Sequence, residues 1–267
     1  MITPEMLENH RLWLANAAGG ERLEYHADLT DADLTDANLA YANLTDANLT
    51  RADLARANLT DADLAYANLT YADLTYANLT GANLTRADLT YANLTYANLA
   101  RANLTDANLA YANLTYANLA YANLARANLT DANLAYANLT YADLTYANLT
   151  GANLTRADLA RANLTDADLT YANLTYANLT GANLTDADLT HAVGVLHPPI
   201  NDPRGYRCVA VWHSDGWRIA AGCRWLTVVM AREHWGEAYT GDRAIGNAYL
   251  AAIEWLDQQP PFEEDKS

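Results

Sequence analysis

A five-residue alternation of apolar and polar positions runs without interruption from Ala27 to His191. Each unit reads Ala, then Asn or Asp, then Leu, then Thr or Ala, then a variable residue. The central leucines recur in steps of five from Leu29 to Leu189, which makes 33 units. Only the fifth position changes freely, holding Tyr, Asp, Arg, Gly or a final His. The pattern therefore fixes the apolar positions and leaves one position per unit free.

A period of five residues matches neither regular secondary structure. In an α-helix, five residues advance about 140° beyond a full turn, so the leucines form no stripe. In a flat strand, an odd spacing sends successive leucines to opposite faces. A chain that bends in every unit returns each leucine to the same side, and Asn and Asp suit such bends because their short side chains bond nearby backbone groups. The pattern predicts a coil with its leucines inside.

The repeated Ala-(Asp/Asn)-Leu-Xaa-Xaa sequence resembles that of the pentapeptide-repeat family. The resemblance implies a mainly β fold, a right-handed, four-sided (quadrilateral) pentapeptide-repeat β-solenoid with four units, or 20 residues, per coil. It also implies that Ala and Leu point inward. The 165 residues of the array would form about eight coils stacked at ~4.8 Å, a rod of roughly 40 Å. Both open ends would need caps, because free sheet edges invite polymerisation.

The chain divides into three parts on this interpretation. Residues 1–26 are predicted to form an N-terminal helical cap, 27–191 the solenoid, and 192–267 a linker and a small C-terminal α+β domain. The cap helix is expected over residues 3–18, with Thr3 as N-cap and Pro4 in the first turn. The run from His10 to Leu14 resembles the N-terminal cap of bacterial and phage members of the family. We interpret His10 as a packing residue of the cap, because no other residue has metal-ligand spacing to it.

The C-terminal part predicts a hairpin followed by two helices. Strands are expected over 206–212 and 217–223 around an Asp215-Gly216 turn, which would place Cys208 opposite Cys223. In that register Ala210 faces Ala221, and Trp212 faces Ile219. Helices are expected from Thr227 to about Gly236 and over 242–257, the second with Ile245, Tyr249, Ala252 and Leu256 on one face. This region resembles, weakly, a domain of unknown role attached to some pentapeptide proteins.

Composition and charge narrow the function classes. With 32 acidic and 16 basic residues the net charge is −16, which argues against direct nucleic-acid binding. No apolar run is long enough to cross a membrane, no secretory signal is visible, and two cysteines favour a cytoplasmic location. A zinc site made of Cys208, Cys223, His213 and His234 lacks the usual spacing, so buried cysteines are favoured. We expect no cofactor, no metal and no enzymatic activity.

The variable positions suggest an interaction surface. A 20-residue coil sorts the tyrosines of the middle of the array into two adjoining columns: Tyr71, Tyr91 and Tyr111 in one, and Tyr76, Tyr96, Tyr116 and Tyr136 in the other. In a further column, Arg86, Asp106 and Arg126 alternate in charge. Two interpretations remain open: the tyrosines stack only to stabilise the layers, or they form a binding stripe of exposed aromatic anchors.

The acidic residues of the array concentrate at its two ends. Residues 27–66 carry a net charge of −6, residues 67–126 are neutral, and residues 127–191 carry −5. Some members of the pentapeptide-repeat family, which this sequence resembles, are acidic rods that bind type II topoisomerases such as DNA gyrase in place of DNA. The candidate DNA-mimic patch comprises Asp28, Asp31, Asp33, Asp36, Asp166, Asp168, Asp186 and Asp188. However, ~40 Å of duplex carries roughly 23 charges, about twice the charge of this array.

The sequence favours a non-catalytic, acidic protein-interaction or structural scaffold. The DNA mimic is the alternative, and an ice-binding protein is a remote one, because bulky Tyr and Arg interrupt the threonine rows. Homodimerisation through a terminal domain is a further expectation. Residues 56–89 and 126–159 match at 33 of 34 positions, which indicates copying of repeats or consensus design. The offset of 70 residues is three and a half coils, so the copied tyrosines fall on the opposite side of the rod.

Overall fold

The computed structural model describes residues 3–15, 19–22, 28–196, 208–213, 216–221, 224–236, 241 and 243–259. A helix, α1 (Pro4–Leu14), precedes the repeat array. Four strands follow the array: β1 (Val195–Leu196), β2 (Cys208–His213), β3 (Gly216–Ala221) and β4 (Arg224–Thr227). Two helices, α2 (Val228–Trp235) and α3 (Arg243–Asp257), complete the described elements.

The repeat array is a β-solenoid with four units per coil. Parallel bridges join the second residue of each unit to the second residue four units later, from Asp28 with Asn48 to Asn173 with Val193. Residues 20 positions apart therefore lie one above the other along the rod. The four-unit coil that the family resemblance implies is the coil observed.

Every backbone N–H of a unit is bonded, as the unit 112–116 shows. The N–H groups of Ala112, Asn113, Leu114 and Tyr116 donate to carbonyl oxygens of Leu109, Ala92, Asn133 and Ala135 at 2.7–3.0 Å. The fourth N–H, of Thr115, donates to the side-chain Oδ1 of Asn113 at 3.1 Å. Because the N–H at the fourth position bonds to no carbonyl, the second position of the unit must supply a side-chain acceptor, which explains its restriction to Asn and Asp.

The bend of each unit occurs at its fifth residue. All 33 fifth positions have a left-handed backbone, with φ between 52° and 61° at the non-glycine residues and 69–70° at Gly81, Gly151 and Gly181. This conformation is unfavourable for residues with a Cβ. It is retained here because two flanking hydrogen bonds per unit fix the corner. The fifth side chain consequently projects outward at a corner of the coil.

The core of the rod is a ladder of leucines and alanines. Each repeat leucine is at most 8% exposed, and most are fully buried. Burial of a leucine contributes roughly 1.5–3 kcal/mol relative to exposure. The small Ala side chains beside the leucines allow the four sides of the coil to approach closely.

Helix α1 covers the first coil of the solenoid. The Thr3 hydroxyl accepts a hydrogen bond from the Met6 N–H at 3.2 Å and caps the helix. Met6 and Leu7 pack against the core of the rod. His10 is fully buried, and its Nε2 lies 2.8 Å from the Ala40 carbonyl oxygen. Burial lowers the pKa of His10, so the ring is a neutral packing and bonding group that ties the helix to the rod.

The strands form an antiparallel sheet in the order β1-β2-β3-β4. Val195 of β1 packs against the solenoid core and also pairs with Val211, which links the sheet to the rod. The predicted hairpin register is wrong, because each residue of β2 pairs with a β3 residue two positions earlier than predicted. Cys208 pairs with Ala221, Ala210 with Ile219 and Trp212 with Trp217.

The observed register has a packing reason. Gly216 pairs with His213, so it belongs to β3 rather than to the turn. The predicted partner of Cys208 is Cys223, which lies outside the described residues, and the residue that pairs with Cys208 is Ala221. The shift by two residues preserves which side chains share a face. It places the small Ala210 beside the large Ile219, and both are buried.

Helices α2 and α3 pack their apolar residues against the sheet. The four predicted residues of α3 (Ile245, Tyr249, Ala252 and Leu256) are all buried. The ring of Trp235 at the end of α2 stacks on Tyr249 with 4.3 Å between ring centroids. These contacts form a second hydrophobic core with Ala210 and Ile219 of the sheet.

Candidate interaction surface

Two adjacent corners of the coil carry the seven predicted tyrosines. We call them the tyrosine face: column one holds Tyr71, Tyr91 and Tyr111, and column two holds Tyr76, Tyr96, Tyr116 and Tyr136. Ring centroids within each column lie 4.7–4.9 Å apart, and the rings are parallel to within 15°. The seven side chains are 45–58% exposed. The structure therefore brings together all the tyrosines that the 20-residue sorting selected.

The stacking decides which part of each tyrosine is available to a ligand. Each internal ring is covered on both faces by its neighbours, so only ring edges and hydroxyls face solvent. A sugar or a nucleobase needs an open ring face on which to stack, and the face offers one only at the column ends. Edges and hydroxyls are instead suited to contacts with protein side chains.

Column two extends beyond its tyrosines. The Arg156 guanidinium lies between the rings of Tyr136 and Tyr176, at 5.9 Å and 4.8 Å from their centroids. At the other end of the column, Arg56 donates two hydrogen bonds of 2.7 Å to Asp36. The sequence interpretation placed Asp36 in the candidate DNA-mimic patch and did not include Arg56, Arg156 or Tyr176, although the same 20-residue spacing places all four in this column.

The predicted alternation of charge in another column is observed. Asp106 lies between Arg86 and Arg126, with N···O distances of 3.7 Å and 2.6 Å. The hydrogen bond from Arg126 lowers the pKa of the Asp106 carboxyl. This column lies on a different corner from the tyrosine face.

The acidic residues at the N-terminal end are partly neutralised. Arg51 donates to Asp31 at 2.6–2.7 Å and Arg56 donates to Asp36 at 2.7 Å. These bonds lower the pKa of both carboxyls. Two of the four candidate DNA-mimic residues at this end are thus engaged by cations of the same rod.

The other candidate acids occupy two kinds of position. Asp28, Asp33, Asp168 and Asp188 are second residues of their units, and each accepts a hydrogen bond from the backbone N–H of a Thr two residues later. Asp166 and Asp186 are corner residues, and a hydrogen bond to Asp166 raises the pKa of Tyr146. The eight acids therefore do not form one continuous patch of free carboxylates.

The threonines, which form rows along the rod, also donate hydrogen bonds to other side chains of the rod. The Thr115 hydroxyl donates to Asn113 Oδ1 at 2.6 Å, and the Thr95 hydroxyl donates to Asn93 Oδ1 at the same distance. A hydroxyl proton used in this way is not free to order a water lattice. The rows serve the rod rather than a flat external surface.

Comparison with known proteins identifies the repeat. The family model described as pentapeptide repeats matches in eight copies, over residues 27–65, 67–106, 107–145, 137–175 and 162–193. The chain belongs to the pentapeptide-repeat family. A search of curated proteins found none similar to this one.

Solved structures of other members resemble the chain to different degrees. HetL, a pentapeptide repeat protein involved in heterocyst differentiation regulation from the cyanobacterium Nostoc sp. strain PCC 7120, is 38% identical with a TM-score of 0.52. The match covers 72% of this chain and 92% of HetL. QnrB1, a plasmid-mediated fluoroquinolone resistance protein, is 18% identical over 64% of this chain and 89% of its own, with a TM-score of 0.37. Its low similarity carries no information on function.

The described residues offer no site of two other classes, a metal centre or a membrane-spanning helix. Among the described residues, no group of three or more His, Cys, Asp or Glu side chains could hold a metal ion. Within the described helices, none is long and apolar enough to cross a membrane. The tyrosine face is therefore the candidate site that the described structure supports best.

One acidic column gives a test of the charge arrangement in this pentapeptide-repeat protein. Asp33, Asp53 and Asp73 are bridged in succession, so three carboxylates lie above one another. We expect D53N to raise the melting temperature by about 1–3 °C, because like charges on facing positions are destabilising. The control is D63N, whose bridged neighbours are Asn43 and Asn83. Equal effects of the two substitutions in low-salt calorimetry would contradict the role of charge repulsion.

Proposed function

We propose that this pentapeptide-repeat protein is a non-catalytic scaffold that binds a protein partner through the tyrosine face. The observation that carries the proposal is the concentration of exposed, aligned tyrosines on two adjacent corners in the neutral middle of an otherwise acidic rod. Tyrosine is enriched among the residues that dominate protein interfaces. Charged residues are depleted from the centres of such interfaces.

The stacking also supports binding energetically. A tyrosine held between two parallel rings has already lost most of its rotational freedom. Side chains immobilised at an interface otherwise cost about 0.5–1.5 kcal/mol each. The internal rings, Tyr91, Tyr96 and Tyr116, are therefore pre-organised for a partner, as rigid aromatic anchors are in other binding proteins.

The DNA-mimic alternative has weaker support. A mimic requires a continuous row of free negative charge, whereas Arg51 and Arg56 pair with two of the N-terminal acids. The neutral centre of the rod also interrupts the row. We therefore include a topoisomerase as one outcome of the test rather than as a second proposal.

The test compares two double variants that each remove two stacked tyrosines from one column. Y91S/Y111S alters the tyrosine face, whereas Y121S/Y141S alters a different corner, where the two rings stack at 4.8 Å. In affinity capture from bacterial lysate, we expect Y91S/Y111S to reduce recovery of a bound protein at least about tenfold. The control is expected to leave recovery unchanged.

Two further experiments distinguish the tyrosine face from the C-terminal region and from the DNA mimic. Loss of capture on deletion of residues 192–267, with Y91S/Y111S unaffected, would contradict the proposal and assign binding to the C-terminal region. Inhibition of gyrase supercoiling that weakens with salt and is equal in both double variants would favour the DNA mimic. Far-UV circular dichroism of each variant establishes that the rod is intact.

A further inference from the structure

The side of the rod that carries the tyrosine face has a self-complementary order of residues. Column one reads Asp31, Arg51, Tyr71, Tyr91, Tyr111, Asp131 and Gly151 along the rod. Column two reads Asp36, Arg56, Tyr76, Tyr96, Tyr116, Tyr136 and Arg156. Each column thus has tyrosines in its middle and one pair of opposite charges at equal distances from its central tyrosine, Arg51 with Asp131 around Tyr91 and Asp36 with Arg156 around Tyr96. A surface of this kind can pair with a copy of itself that runs in the opposite direction.

In this pairing a two-fold axis runs perpendicular to both rods, in the plane between them, at the coil that carries Tyr91 and Tyr96. In an antiparallel, face-to-face arrangement each column faces the same column of the other copy. Tyr91 then meets Tyr91, and Tyr71 meets Tyr111. On the flanks, Arg51 faces Asp131, and Asp36 faces Arg156. Each of these opposite-charge pairs occurs twice by symmetry, and no like charges meet over these seven levels.

Three other alignments of the same two faces bring like charges together. Moving the axis half a coil toward the C-terminus sets Arg56 against Arg156, and moving it half a coil the other way sets Asp31 against Asp131. In a parallel arrangement column one faces column two, so that Arg51 meets Arg56. Like-charge juxtaposition at an interface disfavours wrong pairings. Moving the axis by a full coil in either direction brings no like charges together but removes both kinds of opposite-charge pair. The order of charges therefore favours one direction and one register.

Two copies of the same solenoid also share the same spacing. Because both rods repeat every ~4.8 Å, all seven levels can be in contact at once, which a partner with another period cannot achieve. Seven levels span about 30 Å, and a five-residue side is at most ~17 Å wide, so the contact covers about 500 Å² per copy. The total of about 1,000 Å² is at the lower end for specific interfaces. A weak, reversible dimer is the expected product.

We propose that the partner of the tyrosine face is a second copy of this chain, bound antiparallel with Tyr91 and Tyr96 at the two-fold axis. This inference rests on the proposed function, since it names the protein that the face binds. It uses exposed residues only: the side chains of the Arg51–Asp31 and Arg56–Asp36 pairs are each more than half exposed. Arg51 and Asp36 can therefore take a second partner without leaving the first.

The test uses the full chain and two charge reversals in sedimentation velocity. We expect the wild type to dimerise reversibly and R51D and D131R each to weaken dimerisation at least about tenfold, because each places two like-charge pairs across the axis. An equimolar mixture of R51D and D131R restores both pairs in a heterodimer. The dissociation constant of this heterodimer is expected to lie within about threefold of the wild-type value. R101D, on another corner, is the matched control and is expected to dimerise as the wild type does.

The possible failures are distinguishable. A wild type that stays monomeric at millimolar concentration overturns the dimer, and the proposed function survives it if Y91S/Y111S still abolishes capture of a different protein. A dimer that persists unchanged in R51D and D131R is formed by another surface, which also overturns the inference. Weakening in both variants without recovery in the mixture would contradict the antiparallel register. Recovery itself shows that both variants are folded.

Discussion

Replacing Leu114 by Ala is expected to lower the free energy of unfolding by about 3–5 kcal/mol. Leu114 is fully buried in the middle of the rod. The layers above and below it are held by backbone bonds such as that from the Leu114 N–H to the Asn133 carbonyl oxygen at 2.7 Å. Because those bonds fix the spacing of the coils, the cavity cannot close. Urea unfolding monitored by circular dichroism measures the loss.

A leucine near the end of the array provides the control for this prediction. Leu184 is 8% exposed and lies close to the end of the array. We expect L184A to cost less than half as much as L114A, since an end coil can relax or fray. Equal losses at the two positions, or a loss below about 1 kcal/mol for L114A, would contradict a core of rigidly stacked layers.

Replacing Asn133 by Ala is expected to cost about 1–3 kcal/mol. Its Oδ1 accepts hydrogen bonds from the Ala135 N–H at 3.1 Å and from the Asn153 side-chain amide at 3.1 Å. Ala135 is buried, so its N–H loses its partner without gaining water. The substitution therefore removes the acceptor that the backbone of the unit requires.

The matched control for N133A is N133D. Residues 56–89 repeat residues 126–159, and the single difference is Asp63 in place of Asn133. Asp63 accepts from the Ala65 N–H at 3.1 Å and from Asn83 at 2.9 Å, so the carboxylate performs the same task. N133D is expected to cost less than about 1 kcal/mol, because it keeps the acceptor. Similar losses for N133A and N133D would show that the acceptor is not what matters.

The inward-facing leucines of the rod could be predicted from the five-residue period, because an invariant Leu at that spacing has no stripe in a helix and no single face in a strand. The columns needed one further piece of information, the four-unit coil that the family resemblance implies. With a coil of 20 residues, Tyr76, Tyr96, Tyr116 and Tyr136 fall into line, and the stacked rings of the structure confirm that alignment.

The remaining features depend on local geometry that the sequence does not display. Nothing in the spacing shows that the fifth residue adopts a left-handed backbone, although Gly81, Gly151 and Gly181 at that position are a signal of it. The hairpin register depends on the fit of Ala210 to Ile219, which turn rules cannot supply. The pairing of Asp31 and Asp36 with arginines one coil away is different, because the 20-residue spacing places each pair in line, whereas a count of acidic residues does not use that spacing.

The claim that residues 20 apart lie in columns is tested most directly by distances between spin labels. In a chain with Cys208 and Cys223 replaced by Ser, labels are placed at Tyr41→Cys with Tyr141→Cys, and at Tyr41→Cys with Arg161→Cys. Double electron–electron resonance is expected to give a mean distance of about 24 Å for the first pair of labels, which are five coils of ~4.8 Å apart. For the second pair, six coils apart, the expected distance is about 29 Å. Distances that fail to increase by one coil spacing, or that are broadly distributed, would contradict the columns and the surface built on them.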